Sequence, residues 1–363
     1  MNIFSGLHTA TAKHKLRTVA TISSISMGIG ILYTFIFPAP ISQTNAPLWH
    51  SYLNGLLIGL FLGLAVSFTE LYLVRPKLRQ LPFAVFLAIQ NLYYLAVINV
   101  LVVVVISVHM TLLHDVSVVE SVQSRGLIDF YQGPNFFASN AYALGGVFLL
   151  TFVRQVNRML GKRGLINLLI GKYHKPVEEQ RIFMFLDLKG STTIAEKLGH
   201  ERYHEFLNDF FYDITPAIIE SKGDIYQYVG DEVVVTWTEE DGLPDADCIN
   251  CYFRVAATIH RLSEKYEQNY GYVPTFKAGY HYGGVIAGMV GDMKRAVVFH
   301  GDTVNTASRI RSECTTMNQP LLLSGNLLEH LSISTYLTPV SVGNIKLKGK
   351  EQEIELFTIK EAA

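Results

Sequence analysis

Four apolar stretches dominate the first 153 residues: Thr18–Phe37, Leu53–Val74, Phe83–Val108 and Phe136–Val153. As helices rising about 1.5 Å per residue, they match a hydrocarbon core about 30 Å thick, the last being the shortest. This half is therefore expected to fold as membrane-crossing helices. Flanking charge supports the count. Lys13, Lys15 and Arg17 precede the first stretch, Arg75, Lys77 and Arg79 lie between the second and third, and Arg154, Arg158, Lys162 and Arg163 follow the fourth. The alternate loops carry almost no basic residues: 38–50 has none, and 109–135 has only Arg125 against Asp115, Glu120 and Asp129. The positive-inside rule then places both termini in the cytoplasm and makes the chain a multi-pass protein of the inner (plasma) membrane, with lipid as a partner. A cleaved signal peptide is disfavoured, because the first run is too long and lacks a small-residue cleavage site.

After Arg154 the composition changes to mixed charge with regular polar punctuation, so the whole-chain net charge of −1 says nothing about partners. The boundaries expected are a membrane half at 1–153, a juxtamembrane linker at 154–178 and a soluble domain at 179–363. The linker starts basic, passes through Leu165–Ile170 and ends at Pro176, which disfavours a helical residue before it. Cys248, Cys251 and Cys314 all fall in the soluble half, which implies no disulfide framework. The Cys248-x-x-Cys251 spacing lies in a helical pattern without a second pair and reads as packing. Glu70 near the end of the second stretch marks either a functional position or a snorkelling side chain, and Gln90, Asn91 and Asn99 in the third are expected to bond between helices.

In the soluble half, strand signals at Arg181–Leu188, Asp224–Val229, Glu232–Thr238, Phe276–Tyr282, Val285–Val290 and Arg295–Phe299 alternate with helical ones at Thr193–Leu198, Glu201–Ser221, Asp245–Tyr270 and Thr303–Cys314. That order predicts helices packed on a sheet with antiparallel pairing. Two acidic turns stand out. Phe185-Leu-Asp187-Leu-Lys-Gly190-Ser-Thr192 and Val229-Gly230-Asp231-Glu232 each put an aspartate at the end of an apolar strand, where a pair of carboxylates can hold divalent cations. Thr193 and Glu196 have capping-box spacing. Further on, Asn305 and Arg309 are four residues apart, hence on one helix face.

These elements together resemble the catalytic domain of class III nucleotidyl cyclases, over roughly Glu179 to Ile359 and in the family's order. The resemblance implies an α-helical transmembrane domain of four spans followed by an α/β ferredoxin-like class III cyclase catalytic domain. It also implies an adenylate cyclase that converts ATP to 3′,5′-cyclic AMP and pyrophosphate by attack of the ribose 3′-hydroxyl on the α-phosphate. Asp187 and Asp231 are then the ligands of two Mg²⁺ or Mn²⁺ ions per site. Backbone from Leu188, Lys189, Gly190, Ser191 and Thr192 would line the phosphates at a helix N-terminus. Asn305 and Arg309 match the catalytic pair that orients the ribose and stabilises charge on the α-phosphate, and Lys348 matches the lysine that meets the terminal phosphates, although Lys346 and Lys350 flank it.

One departure concerns the base. The family's adenine-selecting lysine, four residues before the second aspartate, is Gln227 here, and its polar partner, seven residues before the asparagine, is Val298. An amide both donates and accepts, so Gln227 suits either purine, whereas Val298 contributes neither donor nor acceptor. ATP is the expected substrate, with a guanylate cyclase as the alternative. The family places aspartates and the Asn–Arg pair of one site on different subunits, which implies a homodimer with shared active sites. No nucleic-acid partner is expected. Two readings from other classes are a diguanylate cyclase, suggested by Val229-Gly-Asp-Glu-Val233, and a non-catalytic nucleotide-binding membrane receptor.

Overall fold

The computed structural model describes residues 3–37, 48–69, 81–114, 117–161, 164–332 and 336–361. The chain separates into two compact units, Met1–Met159 and Leu160–Ala363.

The first unit is helical: α1 (Ile3–Ile36), α2 (Leu48–Phe68), α3 (Phe83–His114), the short α4 (Val118–Val122) and α5 (Arg125–Gln132), and α6 (Pro134–Leu160). Four of these contain stretches long and apolar enough to cross a membrane, at Leu16–Ile36, Trp49–Phe68, Phe83–Leu112 and Pro134–Asn157. Helices cover the expected spans within the described residues, the second as far as Phe68, and the fourth is longer than its apolar run because polar residues continue it at both ends. Where lipid and side chains are equally apolar, close backbone approach is what holds helices together. Gly55, Gly59 and Gly63 on α2 supply it: a Cβ at Gly59 would stand 2.5 Å from the carbonyl oxygen of Ser26, and one at Gly55 would stand 2.7 Å from that of Gly30, both on α1. Ile22, Val66, Tyr94 and Val147, one from each long helix, form the small core. Asn99 bonds across to Asn140 of α6 at 2.8 Å, as expected of helix glue, whereas Asn91 only bonds back to Leu87 of its own helix. Glu70 and the basic residues Arg75, Lys77 and Arg79 lie outside the described residues.

In the second unit α7 (Gly164–Leu169) precedes β1 (Val177–Leu188), α8 (Ser191–Glu220), β2 (Asp224–Val229), β3 (Glu232–Thr238), α9 (Glu239–Gly242), α10 (Asp247–Arg261), α11 (Ser263–Tyr270) and β4 (Phe276–Val290). Then come β5 (Ala296–His300), α12 (Asp302–Thr316), β6 (Leu321–Ser324), α13 (Gly325–His330), β7 (Leu337–Ile345) and β8 (Ile354–Glu361). The strands form an eight-stranded sheet in the order β2-β3-β1-β4-β6-β8-β7, with β5 pairing β4. Only the β4–β6 pair is parallel among the strand pairs described. The central β1 is buried on both faces from Arg181 to Leu188, which is why its sequence is a continuous apolar run. Its even-numbered side chains Ile182, Met184 and Leu186 pack with Phe206, Phe210 and Ile214 of α8 and with Trp237. The odd-numbered Phe183 and Phe185 meet Val234, Val285 and Ala307 of α12 on the other face.

Four local expectations change, the first being that Asp245–Tyr270 divides at Leu262 into α10 and α11. Phe276–Tyr282 and Val285–Val290 are one strand, because Gly283 and Gly284 stay in register opposite Arg181 and Gln180 of β1. The two helical stretches after Gly190 form one element interrupted only at Gly199, whose φ is 75°. The capping box at Thr193 is not formed: the helix starts at Ser191, with Gly190 at φ 69° in the cap position and no side-chain cap. Cys248 and Cys251 are buried in the α8–α10 core, and burial pushes the Cys251 thiol up to about 12, so packing accounts for the pair.

Candidate active site

Asp187 is the last odd-numbered residue of β1, so strand alternation puts its carboxylate on the same face as Phe183 and Phe185, beyond the apolar cluster they form. β3 places Glu232 directly opposite Asp187, and β4 places Lys277 opposite it on the other side. Asp231 sits in the turn just before β3. Lys277 Nζ approaches Asp187 Oδ2 at 3.3 Å and also donates to the Thr315 hydroxyl at 2.8 Å. Arg311 Nη1 donates to the same Oδ2 at 3.2 Å. Its Nε stands 2.8 Å from Glu232 Oε2 as a charge contact that lacks hydrogen-bond alignment. Three carboxylates and two cations therefore crowd one corner of the sheet.

The electrostatics follow from that crowding. Burial raises the pKa of Asp187; Arg311 and Lys277 oppose the rise, while the negative charge of Asp231 adds to it. Glu232 is pushed up to about 7, chiefly by burial, with Arg311 opposing. Two neighbouring carboxylates that repel each other are a donor set suited to a hard divalent cation. Among the described residues, no group of three or more His, Cys, Asp or Glu side chains makes a full ligand cage.

Two residues beyond Leu188 the chain turns at Gly190, and α8 begins. Lys189 N–H is used by the Thr275 carbonyl at 2.8 Å, but the first-turn N–H groups of α8 have no side-chain acceptor. An uncapped helix N-terminus four residues after a buried aspartate is a ready site for phosphate oxygens. Tyr203 lies beside this turn: burial, and then the charge of Asp231, raise its pKa, while the Ser191 hydroxyl lowers it.

Asn305 and Arg309 lie on α12, a single unbroken helix. Asn305 is exposed, and Arg309 lies against the Leu347–Lys350 turn, its Nη2 3.5 Å from where a Cβ on Gly349 would sit. Lys350 pairs with Asp302 at the start of α12, which ties the turn to the helix and leaves Lys348 exposed. Arg309 and Arg311 are about 200° apart around an axis with 3.6 residues per turn. Accordingly, Arg311 reaches the Asp187 corner and Arg309 does not share those contacts.

On β2, pairing slips by one residue between Ile225, opposite Val235, and Gln227, opposite Val234. Tyr226 is the extra residue of this bulge. Gln227 therefore faces the same side as Val234, the side that carries Asp187 and Glu232, and it is exposed. Val298 on β5 is half-buried, next to Phe299, whose ring stands 5.1 Å from that of Tyr226. Glu232 closes the acidic turn Val229–Glu232 but carries no role in the sequence reading, and Lys277, Arg311 and Tyr203 carry no local signal because they depend on strand and helix partners distant in the chain.

Residues 173–361 match the family described as the adenylate and guanylate cyclase catalytic domain. A protein named adenylate cyclase 2 from Rhizobium meliloti is 35% identical over 218 residues, which cover 60% of each chain. An adenylate cyclase of Anabaena cylindrica is 26% identical over 187 residues, covering 49% of this chain and 36% of its own. The chain thus spans less than two thirds of the length of these relatives. The solved structure of a bacterial light-regulated adenylyl cyclase shares the fold, with a TM-score of 0.51 at 23% identity over 60% of this chain and 64% of that one.

Proposed function

The chain belongs to the adenylate and guanylate cyclase catalytic-domain family, and on that premise we propose that it is a membrane-bound adenylate cyclase converting ATP to 3′,5′-cyclic AMP and pyrophosphate. The observation that carries this reading is the pairing of a buried aspartate, Asp187, with an uncapped helix N-terminus one turn further along the chain. Carboxylates that gather cations and backbone that gathers phosphates are thereby placed together. The name of the Rhizobium meliloti relative supports ATP as the nucleotide.

In this reading Asp187 and Asp231 hold two divalent cations. When bound, such a pair neutralises phosphate oxygens and makes the ribose 3′-hydroxyl easier to deprotonate. The first-turn N–H groups following Leu188, Lys189 and Gly190, at Ser191 and Thr192, orient the triphosphate. Arg309 offers a permanent positive charge where negative charge develops on the α-phosphate, and Asn305, one turn earlier on the same face, orients the ribose. Lys348 meets the terminal phosphates. Gln227 reads the purine edge, beside Val298.

Because Arg309 and Arg311 leave α12 on opposite flanks, Arg309 is directed away from its own chain's carboxylates and is available to those of a second copy. The active unit is accordingly a homodimer with two shared sites. The four apolar helices anchor it in the membrane, residues 154–178 join anchor to catalytic domain, and the basic flanks place the catalytic domain in the cytoplasm. Incubating the full chain in detergent with ATP or GTP and Mg²⁺ or Mn²⁺, then identifying the product, tests the reading. Cyclic AMP is expected; cyclic GMP as main product reassigns the base, a cyclic dinucleotide indicates the diguanylate chemistry, and nucleotide binding without any product removes the enzymatic reading.

A further inference from the structure

We propose that Arg311 is a positioning residue that sets how tightly and in what orientation the site holds its divalent cations. The inference rests on the cyclase reading of Asp187 and Asp231 as metal ligands. Arg311 and Lys277 both address Oδ2 of Asp187, at 3.2 and 3.3 Å, so that oxygen is occupied by two cations of the same chain and Oδ1 is left for a metal. The same guanidinium holds Glu232, whose carboxylate would otherwise be a third acidic donor beside Asp187. Removing Arg311 takes one positive charge from a corner where Asp187, Asp231 and Glu232 face Arg311 and Lys277, so the corner becomes more negative.

The arginine is fixed at its base as well as its tip. Gly279 of β4 lies under it so closely that a Cβ there would stand 2.1 Å from the Arg311 backbone nitrogen and 2.7 Å from its Cβ. Gly279 is two residues from Lys277 on the strand that pairs with Asp187. The helix thus delivers the guanidinium to the β1–β4 ladder from a set distance, which makes the contact part of the scaffold. A bridging cation of this kind has two effects of opposite sign. It restrains the Asp187 rotamer, which favours productive metal geometry, and it repels divalent ions, which lowers their affinity.

The test is a Mn²⁺ titration of the full chain in detergent, read by electron paramagnetic resonance of free Mn²⁺, with a 3′-deoxy ATP that lacks the attacking hydroxyl. Arg311→Ala and Arg311→Gln should bind Mn²⁺ about tenfold more tightly than the unmodified protein, while turnover of ATP at saturating metal falls. Arg311→Lys keeps the charge but loses the fork, and should hold Mn²⁺ affinity near the starting value with intermediate turnover. A merely structural ion pair would lower affinity and turnover together, so Mn²⁺ binding that is unchanged or weaker in both Arg311→Ala and Arg311→Gln overturns the proposal. Using two neutral variants, each checked by circular dichroism, keeps the test open should one fail to fold. Arg311-dependent Mn²⁺ affinity in a protein without cyclase turnover would sustain this inference and remove the enzymatic reading.

Discussion

Arg309 and Arg311, two residues apart on α12, have opposite allegiances: the second is held by Asp187 and Glu232, the first lies against the Gly349 turn. A single chain therefore brings Arg311, and not the arginine proposed to be catalytic, to its own Asp187. Mixing Asp187→Ala chains with Arg309→Ala chains should rebuild one complete site per mixed dimer, so activity should reappear from two inactive preparations. Continued silence after mixed dimers have been isolated by differential tags would contradict shared sites.

In the proposed two-metal site, removing either carboxylate should be severe and not additive. Asp187→Ala and Asp231→Ala should each leave under about 1% of the activity, and the double variant should be scarcely worse, because the two groups act on one pair of cations. Far-ultraviolet circular dichroism should show that the fold persists. Substantial turnover by a folded Asp187→Ala protein would end the two-metal assignment.

In the proposed reading, base choice rests on Gln227. Its amide can turn to suit either purine, so discrimination between ATP and GTP should amount to about 1–3 kcal/mol in kcat/KM, as for incomplete polar readout. Gln227→Lys should sharpen the preference for ATP, and Gln227→Glu should move it toward GTP. Competing-substrate assays decide this, and a ratio untouched by both changes would place selection elsewhere.

His281 supplies a pH signature for stability. Its Nδ1 lies 2.7 Å from the Ser324 hydroxyl, and burial, with the charge of Lys350 behind it, lowers its pKa to about 4, against the opposing effect of Asp302. Between pH 6.5 and 4 the unfolded chain takes up a proton that the native state refuses, so the contribution is complete above the ordinary histidine pKa and is lost as pH falls through this window. The loss is at most about 3 kcal/mol. His281→Gln should flatten the fall in thermal stability between pH 7 and pH 4.5; a slope identical to that of the unmodified protein would show that other groups carry it.

Gly279 tests the seat of α12. Ala at this position places a methyl group 2.1 Å from the Arg311 nitrogen, so the helix must shift, at about 1–3 kcal/mol of stability. Denaturant unfolding should report the loss, together with reduced activity from a displaced Arg311. An unchanged unfolding midpoint would mean that the helix gives way freely.

What the chain revealed before folding depended on how local each signal was. Asp187 and Asp231 end apolar runs, and Asn305 and Arg309 share a helix face, so their placement is legible locally, while the roles proposed for them come from the family resemblance. Lys277 and Arg311 meet Asp187 only through the β1–β4 register and the close seat of α12, across gaps of 90 and 124 residues that no periodicity spans. Gly283 and Gly284 interrupt the apolar pattern between Tyr282 and Val285, yet the ladder with β1 carries them as strand. The expected cap at Thr193 was displaced by a turn that needs only Gly190, with its positive φ, to start the helix at Ser191.

The bulge at Tyr226 divides one short strand into two provinces with separate obligations. Before it, Ile225 answers to the helix-covered core; after it, Gln227 and Val229 answer to the face of Asp187, while Tyr228 returns to α8 through a ring contact with Phe211 at 4.6 Å. Selection can therefore rewrite the residues on the Asp187 face, where the proposed base reader Gln227 lies, without disturbing those that close the core, since the phase change insulates one set from the other. In a family whose members differ in the purine they take, that insulation is a route by which substrate preference drifts while the fold stands still.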